Sequence, residues 1–151
     1  MQTITPFLWF EDKAEEAAHF YVSIFKNSSM LSIMPGPNGT VMSATFELDG
    51  QEFMALNGGP MFSFSPAISF FVKCETQAEV DHLWTQLSAG GETQRCGWLK
   101  DKYGLSWQII PNILGELLGD PDREKAGRVM QAMLQMDKIE IPALKAAYAQ
   151  A

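Results

Sequence analysis

The side chains that could do chemistry in this chain are few. The two histidines, His19 and His82, both fall in stretches of helical periodicity. A base or triad built on a strand-borne histidine therefore has no candidate. The two cysteines are Cys74 and Cys96. A nucleophilic or redox cysteine needs a thiolate stabilised by a nearby cation or a helix N-terminus. Arg95 and Lys100 are near Cys96 in sequence, but strand alternation turns Arg95 to the opposite face, so Cys96 reads as a structural thiol. Cys74 reads as a strand-end core residue, and a bridge between the two requires their strand ends to adjoin. Gly58-Gly59 and Gly90-Gly91 do not sit between a strand and a following helix, where a nucleotide-like cofactor would want them, so they read as tight turns. The acidic groups Asp12, Glu15, Glu16 and Asp120, Asp122, Glu124 lie at helix starts, where they favour the helix dipole as solvated caps. Asp101 reads as a turn former, with a salt bridge or a ligand contact as its alternatives.

The elements that must position these groups follow from pattern. Ile4 to Phe10 is an apolar run of strand length. Asp12 and Glu15 form a potential capping box for a helix carrying Ala17, Tyr21, Ile24 and Phe25, which stops near Asn27-Ser28-Ser29. Met30 to Met34 reads as a strand, Pro35 to Gly39 as a turn, and Val41 to Leu48 as an alternating, half-buried strand. Asp49-Gly50 signals a hairpin into a return strand over Gln51 to Leu56. Asn57 to Pro66 is a connection. The pattern then restarts with a strand over Ala67 to Cys74 and a second capping box, Thr76 with Glu79. The helix it opens carries Val80, Leu83, Trp84 and Leu87 and ends at Gly90-Gly91. Glu92 to Cys96, Gly97 to Lys100 and Leu105 to Ile110 are three short strand candidates. In the tail, Asp120 is placed to cap a helix with Pro121 first in it and an apolar stripe of Val129, Met130, Met133 and Leu134. Pro142 starts a last helix with Leu144 and Tyr148.

The restart is an internal repeat. A shift of 64 lays Ile4 on Ile68, Phe7 on Phe71, Glu11 on Glu75, Ala14 on Ala78 and Glu15 on Glu79. Later in each half a shift of 54 lays Gly50 on Gly104 and Phe53 on Trp107. The fold class is thus α+β, with tandem βαβββ modules forming a curved mixed sheet, followed by C-terminal helices. Module one covers about residues 1–58, a linker about 59–66, module two about 67–111 and the helices about 112–149 of a single domain.

Composition excludes several functions. The 151 residues carry 11 basic and 18 acidic side chains, a net charge of −7, which disfavours a nucleic-acid backbone as partner. No apolar run approaches the roughly 20 residues of a membrane span. The opening MQTITPFLWFED lacks the basic start of a signal peptide. A cytoplasmic protein, with no nucleic-acid and no membrane partner, is expected.

Specific segments carry a resemblance. Pro6 to Phe10, Ala14-Glu15-Glu16-Ala17, Phe20-Tyr21 and the long run from Cys96 to Gln108 resemble the PhnB-like branch of the vicinal oxygen chelate (glyoxalase/bleomycin-resistance) superfamily. Within that run, Trp98-x-x-Asp101-x-Tyr103-Gly104-x-x-Trp107-Gln108 is the most specific part, and the tail from Met133 to Tyr148 is similar as well. The resemblance implies a homodimer, often with exchanged modules, and a ligand cup lined by each curved sheet. It also brings the label 3-demethylubiquinone 3-methyltransferase-like. With no glycine between the first strand and helix, a methyltransferase cofactor is not expected. The superfamily's metal positions fall near Thr5 or Pro6, Ser69, Met54 and Gln108. Only Gln108 is a donor there, and a neutral amide is a weak one. The expectation is no metal and no cofactor.

Strand parity puts Thr5, Phe7 and Trp9 on one face and Leu8 and Phe10 on the other, with Ser69, Phe71 and Lys73 as the second module's matching set. If those sets face the cup, it is lined by Phe7, Trp9, Met54, Phe71, Trp98 and Gln108, with Asn57 and Phe62 at its rim. An apolar wall with a few polar points is the make-up of a small-molecule site. The expected function is metal-free binding of a small apolar or aromatic molecule. The alternative is a metal- or Gln108-assisted glyoxalase- or dioxygenase-like enzyme. No residue is assigned a catalytic role.

Overall fold

The computed structural model describes residues 2–150 and divides into two compact units between Phe64 and Ser65. The first holds β1 (Phe7–Phe10), α1 (Ala14–Ile24), β2 (Ser29–Pro35), β3 (Val41–Leu48) and β4 (Gln51–Asn57). Its sheet runs β1-β4-β3-β2, with β1 parallel to β4 and the other pairs antiparallel. Asp49 (φ 48°) and Gly50 (φ 84°) both take the left-handed conformation that the two-residue hairpin between β3 and β4 requires. Leu8, Phe10, Ala44, Phe46, Leu48, Phe53 and Ala55 are buried on one sheet face. The buried face of α1 (Ala14, Ala17, Ala18, Tyr21, Ile24) covers them, Tyr21 stacking on Phe46 at 6.2 Å between ring centroids.

Two expectations change in this unit. The strand begins at Phe7, not Ile4. Before it the side chain of Gln2 takes the place of a ladder, donating to Glu52 O and accepting from Glu52 N, both at 2.9 Å. The capping box of Asp12 and Glu15 does not form. The residue at the N-cap is Lys13, whose side chain makes no capping bond. Instead the Oδ1 atom of Asn57 accepts from Ala14 N at 2.8 Å while its Nδ2 donates to Val41 O at 3.0 Å. Because β4 runs parallel to β1, its last residue arrives beside the start of the helix that follows β1.

The second unit repeats the plan with β5 (Ser69–Cys74), α2 (Gln77–Ser88), β6 (Glu92–Thr93), β7 (Trp98–Lys100) and β8 (Ser106–Pro111), in sheet order β5-β8-β7-β6. Here the predicted N-cap is in place, Thr76 Oγ1 accepting from Glu79 N at 3.2 Å. Val80, Leu83, Trp84 and Leu87 are buried as their spacing predicts. The register matches the two sequence shifts: the pair Phe7↔Met54 becomes Phe71↔Gln108, and Leu8↔Ala55 becomes Val72↔Ile109.

The predicted strand over Glu92 to Cys96 shrinks to Glu92–Thr93. Cys96 (φ 61°) and Gly97 (φ 82°) form a left-handed turn whose N–H groups donate to Met136 O and Asp137 O, each at 2.8 Å. Those partners belong to the tail, out of reach of any local pattern. At this left-handed φ a Cβ on Gly97 would also lie 3.0 Å from Ile109 O and 2.7 Å from Ile110 Cδ1, so any side chain there is strained.

Three helices close this unit: α3 (Asn112–Leu118), α4 (Arg123–Leu134) and α5 (Ile141–Ala149). Around Ile110 they assemble Leu114, Val129, Ile139 and Leu144. The cap of α4 is Asp122, accepting from Glu124 N and Lys125 N, rather than Asp120, and Pro121 stays outside the helix. Asp120 accepts from Tyr148 Oη at 2.7 Å, tying α5 back to the start of α4. That bond, helped by the N–H of Asp122, holds the Asp120 carboxyl below its usual range. Of the predicted apolar stripe, Val129 is buried but Met130 and Leu134 stay exposed. Among the described residues, no helix is long and apolar enough to cross a membrane.

Candidate functional site

A sheet covered by a helix on one side presents its alternate residues on the other. In the second unit α2 packs over Trp107, Ile109 and Leu99, all buried. The register then lays out the opposite face as rows across the strands. One row is Ser69, Ser106 and Lys100, continued by Glu92 on β6; the next is Phe71, Gln108 and Trp98. A third, Lys73 and Ile110, is closed at Ile110 by the C-terminal helices. Phe71 is 54% exposed, a large apolar surface to leave on a strand, while Trp98 and Gln108 are half-buried. Gln108 Nε2 donates to Ser69 Oγ at 3.0 Å, linking the aromatic row to the polar one. Ser106 is fully buried, and its Oγ is the one buried side-chain oxygen or nitrogen among the described residues that lacks a hydrogen-bond partner.

In the first unit the corresponding face carries Phe7, Trp9 and Met54, with Phe7 also 54% exposed. Trp9 is held by the connection that follows β4. Its Nε1 donates to Gly59 O at 3.0 Å, and Phe62 meets the ring edge-on at 4.9 Å. Gly58 lies so close that an added Cβ would fall 2.4 Å from the indole. The pair Gly58-Gly59 therefore makes room for Trp9 as well as turning the chain. Asn57 does not join this set. It pairs with Phe10 on the helix-covered face, and both ends of its amide are used there. The structure thus gathers the candidates as Phe7, Trp9 and Met54 on one sheet, Phe71, Trp98 and Gln108 on the other, and Asn57 behind the first. Sequence reasoning passed over Lys100, although the parity that placed Trp98 places it too.

Asp101 and the cysteines are built into the fold. Asp101 is 2% exposed, and its carboxylate accepts from Tyr103 N (2.9 Å), Leu105 N (3.0 Å) and Trp107 Nε1 (2.9 Å). It is a turn former, as predicted, and also the anchor of a buried indole. Both cysteines are free thiols. Burial, with the Glu79 carboxylate adding to it, pushes the Cys74 thiol up to about 11, so it is not a thiolate at neutral pH. Cys96 Sγ donates to Met133 O at 3.7 Å. His19 and His82 are exposed on α1 and α2.

The donor set does not fit a divalent metal. Phe71 and Trp98 flank Gln108 in the register, and its amide is already bonded to Ser69. Among the described residues, no group of three or more histidine, cysteine or carboxylate side chains is placed to hold an ion. Nor does a nucleotide-like methyl donor fit. β1 passes to α1 through Glu11, Asp12 and Lys13, and the first free N–H of α1 is taken by Asn57.

Comparison with known proteins agrees with this architecture. Residues 2–110 match the model of a family described as 3-demethylubiquinone-9 3-methyltransferase. Among solved structures, a PhnB protein from Bacillus cereus is 42% identical over 73% of this chain and 99% of that one, with a TM-score of 0.69. A fosfomycin resistance protein, FosX, from Listeria monocytogenes, solved with Mn(II) and sulfate, is 16% identical over 71% of this chain and 90% of that one (TM-score 0.53). A glyoxylase/bleomycin resistance protein/dioxygenase domain from Frankia is also 16% identical, over 74% and 92% (TM-score 0.51). These last two are similar in fold alone. No curated protein matches.

Proposed function

This chain belongs to the PhnB-like family described as 3-demethylubiquinone-9 3-methyltransferase and shares the fold of glyoxylase/bleomycin resistance proteins, and from that premise we propose that it is a homodimer that binds a small apolar or aromatic molecule without a metal. The observation that carries this reading is the row Phe71, Gln108 and Trp98 on the open face of the second sheet. Two aromatic side chains flank one amide whose orientation is set by Ser69. That is the composition of a small-molecule site, apolar walls with a single oriented polar group.

The reading is tested by titrating the protein with naphthalene-2-carboxamide while following tryptophan fluorescence. Saturable one-site binding is expected, weakened about tenfold or more in Trp98→Ala, which removes one wall. No saturable signal, or equal affinity in Trp98→Ala, overturns the site. Native mass spectrometry of protein never exposed to a chelator tests the second half. A stoichiometric transition-metal adduct would overturn metal-free binding.

A further inference from the structure

The two sheets share one register, yet their open faces differ in charge. Under the repeat, the pair Thr45↔Met54 corresponds to Trp98↔Gln108, and the next pair, Glu47↔Glu52, corresponds to Lys100↔Ser106. Two carboxylates in the first sheet are therefore replaced by an ammonium and a hydroxyl in the second. Lys100 is half-buried, and no carboxylate among the described residues lies within ion-pairing distance of it, although Glu92 is its cross-strand neighbour. Beside it Ser106 Oγ is buried and unpartnered. An orphaned buried hydroxyl costs free energy that a ligand oxygen would recover. Ser69 completes the row. In a chain of net charge −7, three neighbouring positions holding one cation and two hydroxyls, with Glu92 next along the row on β6, are a local exception.

We propose that the row Ser69, Ser106 and Lys100 receives the carboxylate of a ligand whose apolar body lies on Phe71 and Trp98, making the natural ligand an apolar or aromatic carboxylate. The proposal rests on the site described above and adds its charge. The rows are about 7 Å apart, two residues along a strand, close to the reach of roughly 6 Å from the far ring of a naphthalene to the oxygens of its 2-carboxylate. Lys73, exposed on the far side of the aromatic row, adds only screened, longer-range attraction.

The test compares naphthalene-2-carboxylate with naphthalene-2-carboxamide on this whole 151-residue chain. The carboxylate is expected to bind more tightly, with an affinity that falls as salt rises, while the amide is insensitive to salt. Lys100→Met and Lys100→Gln should each weaken the carboxylate by about 10- to 100-fold and leave the amide unchanged. Lys73→Met should change the carboxylate by less than about threefold. Ser106→Ala provides a readout that a structural role would not move: the melting temperature of the free protein should hold or rise while carboxylate affinity falls. If both probes bind equally, or Lys73→Met and Lys100→Met act alike, the carboxylate assignment is overturned and the small-molecule site stands. If neither probe binds, the site itself fails and the assignment with it.

Discussion

A single side chain, Asp101, explains the most specific segment of the sequence. Its carboxylate satisfies two backbone N–H groups of the turn and the indole of Trp107. A residue six positions away is thereby fixed across a hairpin. Hydrogen bonds to a charged acceptor contribute more than neutral ones, and removing a buried acceptor strands its donors. Asp101→Ala should therefore cost about 3 kcal/mol in stability, seen as a lower urea midpoint. Asp101→Asn should still cost about 2 kcal/mol, because its NH2 group must face one of the N–H donors. If Trp107 is the donor left facing it, Trp107→Phe should recover part of the loss in a double-mutant cycle. A neutral Asp101→Asn would overturn this account. The turn was legible in the sequence from residue types alone. The bond to Trp107 was not, because it depends on the register of β7 against β8, which no local pattern states.

At the scale of elements, periodicity and turn chemistry carried most of the reading. The buried faces of α1 and α2, the Asp49-Gly50 hairpin and the two repeat shifts all follow from local residues. The departures share one cause: a group from a distant part of the chain reached an element's end first. Asn57 caps α1 in place of Asp12, and the connection between α4 and α5 turns Cys96 and Gly97 out of the strand. Asp12 matched the local capping signature but stands two residues before Ala14, and the Ala14 N–H points to β4. The two residues should therefore behave oppositely when truncated. Asn57→Ala should cost about 1–2 kcal/mol, the worth of a cap plus its bond to Val41 O. Asp12→Ala should stay within about 0.5 kcal/mol. Thermal melts of both variants followed by circular dichroism decide it, and equal losses would return the capping role to Asp12. The candidate site was half legible for the same reason. Parity grouped Phe71, Trp98 and Gln108 correctly, but Asn57 was read as a rim residue because its strand was ended one residue early.

For the whole molecule, duplication creates a surface that one chain leaves uncovered. β1 and β5 are outer strands of their sheets, and each carries the same apolar set: Phe7 and Phe71 are both 54% exposed, and Ile4 and Ile68, just ahead of them, are 85% and 71% exposed. An outer strand offers unpaired N–H and C=O groups, and proteins that remain monomeric guard such strands with charges or prolines. Here the large exposed residues are phenylalanine and isoleucine, with Lys73 the one exposed charge on β5, so burial against a second copy is the outcome to expect. Light scattering on the eluted peak should give twice the chain mass at micromolar concentration. Phe7→Lys combined with Phe71→Lys should shift the species to a folded monomer, its far-ultraviolet circular dichroism unchanged, because both side chains lie on the face that α1 and α2 do not cover. A wild-type chain that elutes as a monomer at tens of micromolar, or a double variant that remains dimeric, would place these aromatics with the ligand alone and leave the edges to be explained another way.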